Sequence, residues 1–406
     1  MIKGNYLTIF KRMLLIIKFL FILISIIILL FEKLLNILNC KYSKIKNEKQ
    51  LYRNYIKSCN KLKEIDNKNK INNKNKENPY FSIIIPLLNM EKYIEKTILS
   101  VLNQSFQDFE IIIINDFSND NSNIKIQKYL YLNKIKIIEH KNNLGIYASR
   151  VDGFYNSNGN YLLYIDSDDM ILNPYLLEKI YNYNRKYNLD IIEFEVYYKE
   201  ERNNKIYNPN IHSLNHFHNF IEKIIYQPKL SNLLFFIPNS NNYSYIFCRN
   251  IWNKIIKKSV LFNTINFIGK EAYKKRYFNF AEDTLMNIIN FQFANNYTNI
   301  KIPGYLYNLR ENSISHHRYK LNINIKNCQN YLLFLKLFYK YIKYFNKNRN
   351  YLYFELKESK DYFIKLKYSK INDYINEAKI ILNEILEDKN ISKPFEALLN
   401  NYISIF

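Results

Sequence analysis

Three carboxylates, Asp166, Asp168 and Asp169, stand within four residues in "YLLYIDSDDM", directly after the apolar run Tyr161 to Ile165. The chain carries a formal net charge of +23, so this acid clustering does not follow from overall composition. Like charges this close resist ionising together unless a cation lies among them. On extended chain, residues i and i+2 project from the same side, so Asp166 and Asp168 can both face one ion. The competing reading is an acidic turn that opens the helix after Pro174, where carboxylates favour the N-terminal dipole.

Chemistry of this kind needs a frame, and the frame is legible from Pro79 onward. Short apolar runs predict strands at 81–86, 109–115, 135–140, 161–166 and 189–196, with helices between them at about 91–104, 121–132, 145–157 and 174–187. Runs this continuous in Ile and Leu imply strands covered on both faces, and the alternation implies βαβ units with a parallel sheet. Ligands in such sheets bind beyond the carboxyl ends of the strands. The unusual polar residues obey that direction: the first strand ends at Pro86–Asn89, the second at Asn115–Asp120, and the third leads into Asn142–Gly153. One crevice is therefore expected to hold Asn89, Asp116, Arg150 and Asp166 to Asp169. Only 6 glycines occur in the chain, and Gly145, Gly153 and Gly159 fall just before the acidic cluster, where a backbone reason for each is expected.

The stretches "SIIIPLLN", "NQSFQDFEIIIINDFSND", "NNLGIYASRVDG" and "YLLYIDSDD" resemble the nucleotide-sugar half of family 2 glycosyltransferases with the GT-A fold. Downstream, "WNKIIKKSVL", "AEDTLMN" and "YNLRENSIS" are similar to that family's acceptor half, so the resemblance covers about residues 80–318. It implies an α/β fold: a GT-A (Rossmann-like) mixed, mainly parallel sheet flanked by helices. It implies transfer of a single sugar, with inversion, from a nucleotide-diphosphate sugar, UDP-sugars favoured, to a hydroxyl of a glycan, glycoprotein or lipid. Mn²⁺ or Mg²⁺ held by carboxylates would neutralise the leaving diphosphate.

By the same resemblance, Asp168 is the first choice for the metal, Asp166 binds ribose or metal, and Asp169 is an alternate. Asp116 corresponds to the residue that reads the base, since a carboxylate accepts an imide N–H. Pro86, Asn89 and Gly145 shape the donor crevice, while Arg150 and Arg310 are candidate contacts to the diphosphate through forked guanidinium geometry. Asp283 corresponds to the general base, against the plainer role of helix N-cap. Glu282 and Trp252 are acceptor-side candidates, Trp252 being equally suited to a core, and His316 and His317 read as solvated surface, with a further metal ligand as the alternative. The sequence departs from the family pattern at Leu88 (usually Tyr), Phe117 (usually Gly) and Val151 (often Asn).

Outside the resemblance, Met13 to Phe31 holds 19 residues with one charge, Lys18, which predicts a transmembrane anchor over 13–35 after a short tail at 1–12. Residues 36–78 are polar and low in complexity, and read as a stem. Lys3, Lys11 and Arg12 on one side balance Lys33, Lys41 and Lys44 on the other, so orientation is not set. A single-pass protein of the secretory pathway, Golgi or ER, is the expectation. The donor half spans 79–200, the acceptor half 201–320, and a helical C-terminal extension 321–406, where Lys336, Lys340 and Lys343 form one basic stripe suited to the wet side of a packed helix.

Four widely spaced cysteines suggest neither zinc nor a disulfide framework. The basic balance, 59 Lys+Arg against 36 Asp+Glu, accompanies an AT-rich-codon composition and no nucleic-acid motif, so no nucleic-acid partner is expected. Two other classes compete: a catalytically silent scaffold that kept the fold, and an aspartyl phosphatase. The latter wants its D-x-D after the first strand, not the fourth.

Overall fold

The computed structural model describes residues 78–208, 224–226, 237–239, 242–244, 250–274, 278, 281–310, 325–345, 347, 363–364, 367, 372–388 and 393–405. Strands β1 (Phe81–Leu87), β2 (Phe109–Asn115), β3 (Ile135–Glu139) and β4 (Tyr161–Tyr164) alternate with helices α1 (Ile94–Leu102), α2 (Ser122–Gln127) and α3 (Ile146–Tyr155). Next come β5 (Met170–Ile171), α4 (Leu176–Tyr187), β6 (Ile191–Glu200), and the short β7 (Ile206–Tyr207), β8 (Ile225–Tyr226), β9 (Ile237–Asn239) and β10 (Asn242–Ser244). Strand β11 (Lys254–Lys257) leads into α5 (Lys258–Ile268), α6 (Lys270–Lys274), α7 (Glu282–Phe293) and the long β12 (Asn296–Leu309). Helices α8 (Ile325–Tyr344), α9 (Asn372–Leu386) and α10 (Lys393–Ile405) close the chain.

The main sheet runs β3-β2-β1-β4-β11-β6-β12-β5, with β7 on β6 and β8 on β12. β1 pairs in parallel with both β2 and β4, β2 with β3, and β12 with β6. β11 is antiparallel to its neighbours β4 and β6, so β6 and β12 point the same way as β1 to β4. All six long parallel strands thus end at one edge, and the order reverses between β1 and β4, the position where such sheets bind ligands. The expected donor and acceptor halves contribute strands to this one continuous sheet.

Period-two alternation explains the layering. Ile83, Ile85, Ile111, Ile113 and Leu163 enter one core with Ile94, Ile98 and Val101 of α1 and Leu176 and Ile180 of α4. Ile84, Ile112, Ile114, Leu162 and Tyr164 enter the other with α3, α5, α7 and the C-terminal helices. Ile94, Ile98 and Val101 are spaced i, i+4, i+7, the single-face pattern of a helix packed on a sheet. In α8 the exposed residues Lys336, Lys340 and Lys343 interrupt an otherwise buried surface, so the basic stripe is that helix's solvent side. Among the described residues no helix is long and apolar enough to cross a membrane; the anchor expected over 13–35 lies outside them.

Two glycines have the backbone reasons expected of them. Gly145 adopts φ 93° ahead of α3. Gly159 donates its N–H to Ser82 Oγ at 2.8 Å, and a Cβ there would stand 2.6 Å from the Ser82 nitrogen in the central strand. Strand backbone cannot yield, so Gly159→Ala is expected to destabilise by about 1–3 kcal/mol, read as a lower urea midpoint.

Candidate active site

Because the long strands are parallel, their carboxyl ends bring together residues far apart in sequence. Asn89 follows β1, Asp116 follows β2, His140 follows β3, Asp166 to Asp169 follow β4, Glu201 follows β6 and Arg310 follows β12. Pro86 fits this opening. Ile84 C=O accepts from Ile165 N–H on the β4 side at 2.9 Å, and β1–β4 pairing stops at Ile84. Pro86, two residues on, faces the same side, and its missing N–H removes no ladder bond there.

Arg150 is the electrostatic centre. It projects from α3, is 2% exposed, and donates from Nη1 to Glu282 Oε1 at 2.8 Å and from Nη2 to Asp166 Oδ1 at 3.3 Å. It therefore joins the β4 edge to the first turn of α7, where the sequence suggested a direct diphosphate contact. Burial disfavours its charge, but the Asp166, Glu282 and Asp283 carboxylates outweigh burial and raise its pKa. Burial raises the Asp166 carboxyl; Arg150 pulls it down, and the Asp168 and Asp283 charges push it up again. Glu282 is likewise raised by burial and by Asp283, against the pull of Arg150. The donor-side and α7 acids thus feel one another's charge.

The acidic loop is pinned on both sides. Thr97 Oγ1 of α1 donates to the carbonyls of Ser167 and Asp169 at 3.0 and 2.8 Å. Tyr305 O–H donates to Asp169 Oδ2 at 2.8 Å and accepts from Asp166 N–H at 3.1 Å, while Asn308 N–H donates to Asp169 Oδ1 at 2.7 Å. Both Asp169 oxygens accept bonds from β12, so Asp169 anchors the loop. Asp168 instead pairs with Arg310 Nη2 at 2.6 Å; burial raises its carboxyl and Arg310 opposes that rise. Arg310 also lies 5.2 Å over the Tyr93 ring, and Tyr93 O–H donates to Glu201 Oε1 at 2.7 Å. These residues and Asn89, Met90 and Asp120 line a cleft of about 550 Å³.

Asp116 is placed at the expected edge, and both its oxygens are engaged. Its Oδ1 accepts from Leu144 N–H at 2.7 Å and pairs with His140 Nδ1 at 2.8 Å; its Oδ2 accepts from Gly145 N–H at 2.8 Å. It fastens the loop that starts α3. His140 Nε2 reaches Asp152 at 2.9 Å, and Tyr273 O–H donates to the same carboxylate. Burial would lower the His140 pKa, but hydrogen bonds to Asp116 and Asp152 raise it from 6.5 to about 9.

Asp283 lies at the second position of α7, not at the N-cap, which is Ala281; its Oδ1 accepts from Thr284 N–H at 2.8 Å. Trp252, read in the sequence as acceptor platform or core, is packed among aromatic neighbours. The residue is 4% exposed and its indole stacks on Tyr305 and Tyr307 at 4.4 and 5.3 Å. His316 and His317 lie outside the described residues. Residue-by-residue reading missed His140, Tyr93, Glu201 and Tyr305; the strand-end rule that selected Asp116 applies equally to His140 and Glu201.

Among the described residues no group of three or more His, Cys, Asp and Glu side chains is arranged to hold a metal ion. The site still fits a divalent cation of the kind that diphosphate oxygens and water help to coordinate. Asp166 and Asp168 are hard oxygen donors at the sheet edge, their carboxyls raised chiefly by burial, and each stands beside a guanidinium, Arg150 and Arg310 respectively.

Residues 82–250 match the family model described as Glycosyl transferase family 2. Glycosyltransferase GlyA of Streptococcus pneumoniae is 26% identical over 235 residues, 58% of this chain and 31% of that protein. Cholesterol galactosyltransferase of Borreliella burgdorferi is 29% identical over 283 residues, 65% of this chain and 74% of that protein. The S. aureus TarS 1-349 structure in complex with UDP-GlcNAc is 18% identical, covers 80% of this chain and 90% of that one, and has a TM-score of 0.46. The chain spans less than a third of GlyA. Residues 82–250 are a family 2 glycosyltransferase domain, set in a mixed α/β sheet of GT-A-like form with flanking helices.

Removing Arg150 strands two buried acids, so Arg150→Met should cost about 3–5 kcal/mol, seen as a large fall in the urea midpoint. His140 stabilises by binding a proton more tightly when folded. That contribution is complete below pH about 6.5 and is lost as pH rises through about 9. The difference in melting temperature between wild type and His140→Gln should therefore shrink on going from pH 6 to pH 10.

Proposed function

We propose that the protein transfers a single sugar from a nucleotide-diphosphate sugar, UDP-sugars favoured, to an acceptor hydroxyl with inversion at the anomeric carbon. The observation that carries this is the arrangement of charge. Asp166 and Asp168 stand at the β1/β4 switch point beside a cleft containing Arg310, while Asp283 stands across Arg150, close enough to raise the Asp166 carboxyl. Two chemically distinct tasks, holding a diphosphate and taking a proton, thus fall to two acid groups held apart by one cation.

In this reading the acceptor oxygen attacks the anomeric carbon, the bond from that carbon to the diphosphate oxygen breaks, and the acceptor proton passes to the Asp283 carboxylate. Mn²⁺ or Mg²⁺ held by Asp166 and Asp168 would neutralise charge on the departing diphosphate. Arg310 adds a guanidinium at the cleft wall suited to phosphate oxygens. Arg150 orients: its bonds to Asp166 and Glu282 keep the acids of β4 and α7 in register. A glycan, glycoprotein or lipid is the acceptor class, and the apolar segment at 13–35 would hold the enzyme at a membrane.

Asp283→Asn should lower the transfer rate by about 100- to 10,000-fold in an assay of nucleoside diphosphate released from a panel of nucleotide sugars, with UDP affinity kept within about twofold. Full transfer activity in that variant would remove Asp283 as the base. Asp168→Ala should abolish the Mn²⁺ enhancement of UDP binding measured by calorimetry. A wild-type protein that turns over no sugar in the panel would favour the silent scaffold.

A further inference from the structure

Five described non-glycine residues have left-handed backbone: Asn89, Phe117, Asn188, Asn204 and Ala281, at φ 53, 67, 46, 54 and 55°. Asn suits this region, since its short amide bonds locally; a bulky side chain does not. Phe117 is the outlier, and its ring is 57% exposed. Among the described residues no aromatic ring or cation packs on its face. An AT-rich codon supply does not account for it, because Asn is as AT-rich and occupies three of the four other positions. The two residues that depart from Asn, Phe117 and Ala281, directly follow Asp116 and directly precede Glu282.

The conformation of Phe117 is imposed by its surroundings. Asn89 N–H donates to Ser118 Oγ at 3.0 Å, Asn119 N–H to Asn89 Oδ1 at 2.8 Å, and Ser118 N–H to Asn115 Oδ1 at 3.1 Å. The loop is thereby clamped to the end of β1, and Asn89 and Asp120 on either side of the clamp line the cleft. A strained backbone held by its neighbours at a ligand site is a known way to aim a side chain before the ligand arrives. Asp116 next door has its oxygens held by Leu144, Gly145 and His140, so any contact it makes to the edge of a planar ligand is fixed in place, and an adjacent ring could meet that ligand's face.

We propose that Phe117 is the stacking platform for the nucleobase of the donor, and so a specificity-determining residue of this site. The proposal rests on the nucleotide-sugar reading above. A rigid ring with two side-chain torsions stacks on any base face, and loss of such a contact weakens binding roughly 5- to 100-fold. The strain adds a second signature: a residue that tolerates φ near 67° should stabilise the protein while weakening the ligand.

The test measures UDP and inorganic pyrophosphate affinity by calorimetry, and melting temperature, for the full-length protein and its Phe117→Gly, Phe117→Asn and Phe117→Tyr variants. The expected result is at least about fivefold weaker UDP binding for Gly and Asn, wild-type affinity for Tyr, unchanged pyrophosphate affinity throughout, and a higher melting temperature for Asn. Equal UDP affinity in all four proteins overturns the platform and leaves the donor reading standing. Parallel loss of pyrophosphate binding also overturns it, since the loop and not the ring would then be responsible. A folded wild type that binds no UDP overturns the UDP reading, and the platform with it.

Discussion

Arg150 sits out of water between Asp166 and Glu282, and a charge so placed must be paired or the fold loses several kcal/mol, of the order of 3–5. That requirement fixes more than a salt bridge. Asp166 belongs to the loop after β4 and Glu282 to the first turn of α7, so meeting the needs of one guanidinium sets the distance between the acids at the sheet edge and the acid on the helix, Asp283. The parallel strands deliver each group to the edge, and Arg150 sets their spacing. Thr97, Tyr305 and Asn308 then hold the loop from its other sides, while Asp166 and Asp168 each face a guanidinium.

A second charged lock lies at the same strand edge. Asp116 and Asp152 grip His140 and thereby tie the tips of β2 and β3 to α3. The strand edge thus carries two cations, buried Arg150 and partly buried His140, each paired with two carboxylates. Inside the sheet a further buried pair, Lys254 with Glu193 at 3.4 Å, joins β11 to β6. The antiparallel strand that interrupts the parallel order is therefore fixed by charge as well as by its ladder.

Strand and helix positions were legible because the Ile and Leu runs and the helical spacing of Ile94, Ile98 and Val101 encode burial locally. The catalytic edge was legible because strand direction follows from the alternation. What stayed hidden depends on partners distant in the chain. Nothing near Arg150 announces Glu282, 132 residues away, so the ion pair that ties α3 to α7 could not be read locally. Trp252 reads alike as platform or core until Tyr305 and Tyr307 are seen stacked on it. Asp116 matched the expected edge position, but its role is decided by amides of the following loop. Phe117 reads in the sequence as a departure from a glycine, and only its backbone angle gives that departure a physical meaning.

The account stands on one site assembled from the tips of β1, β2 and β4 and the start of α7. Amide hydrogen exchange of the full-length protein with and without UDP and Mn²⁺ tests this most directly. The account predicts slowed exchange together in residues 87–93, 116–120, 144–150, 166–170 and 282–285. Protection confined to one of these segments, or found instead along α9, would contradict it.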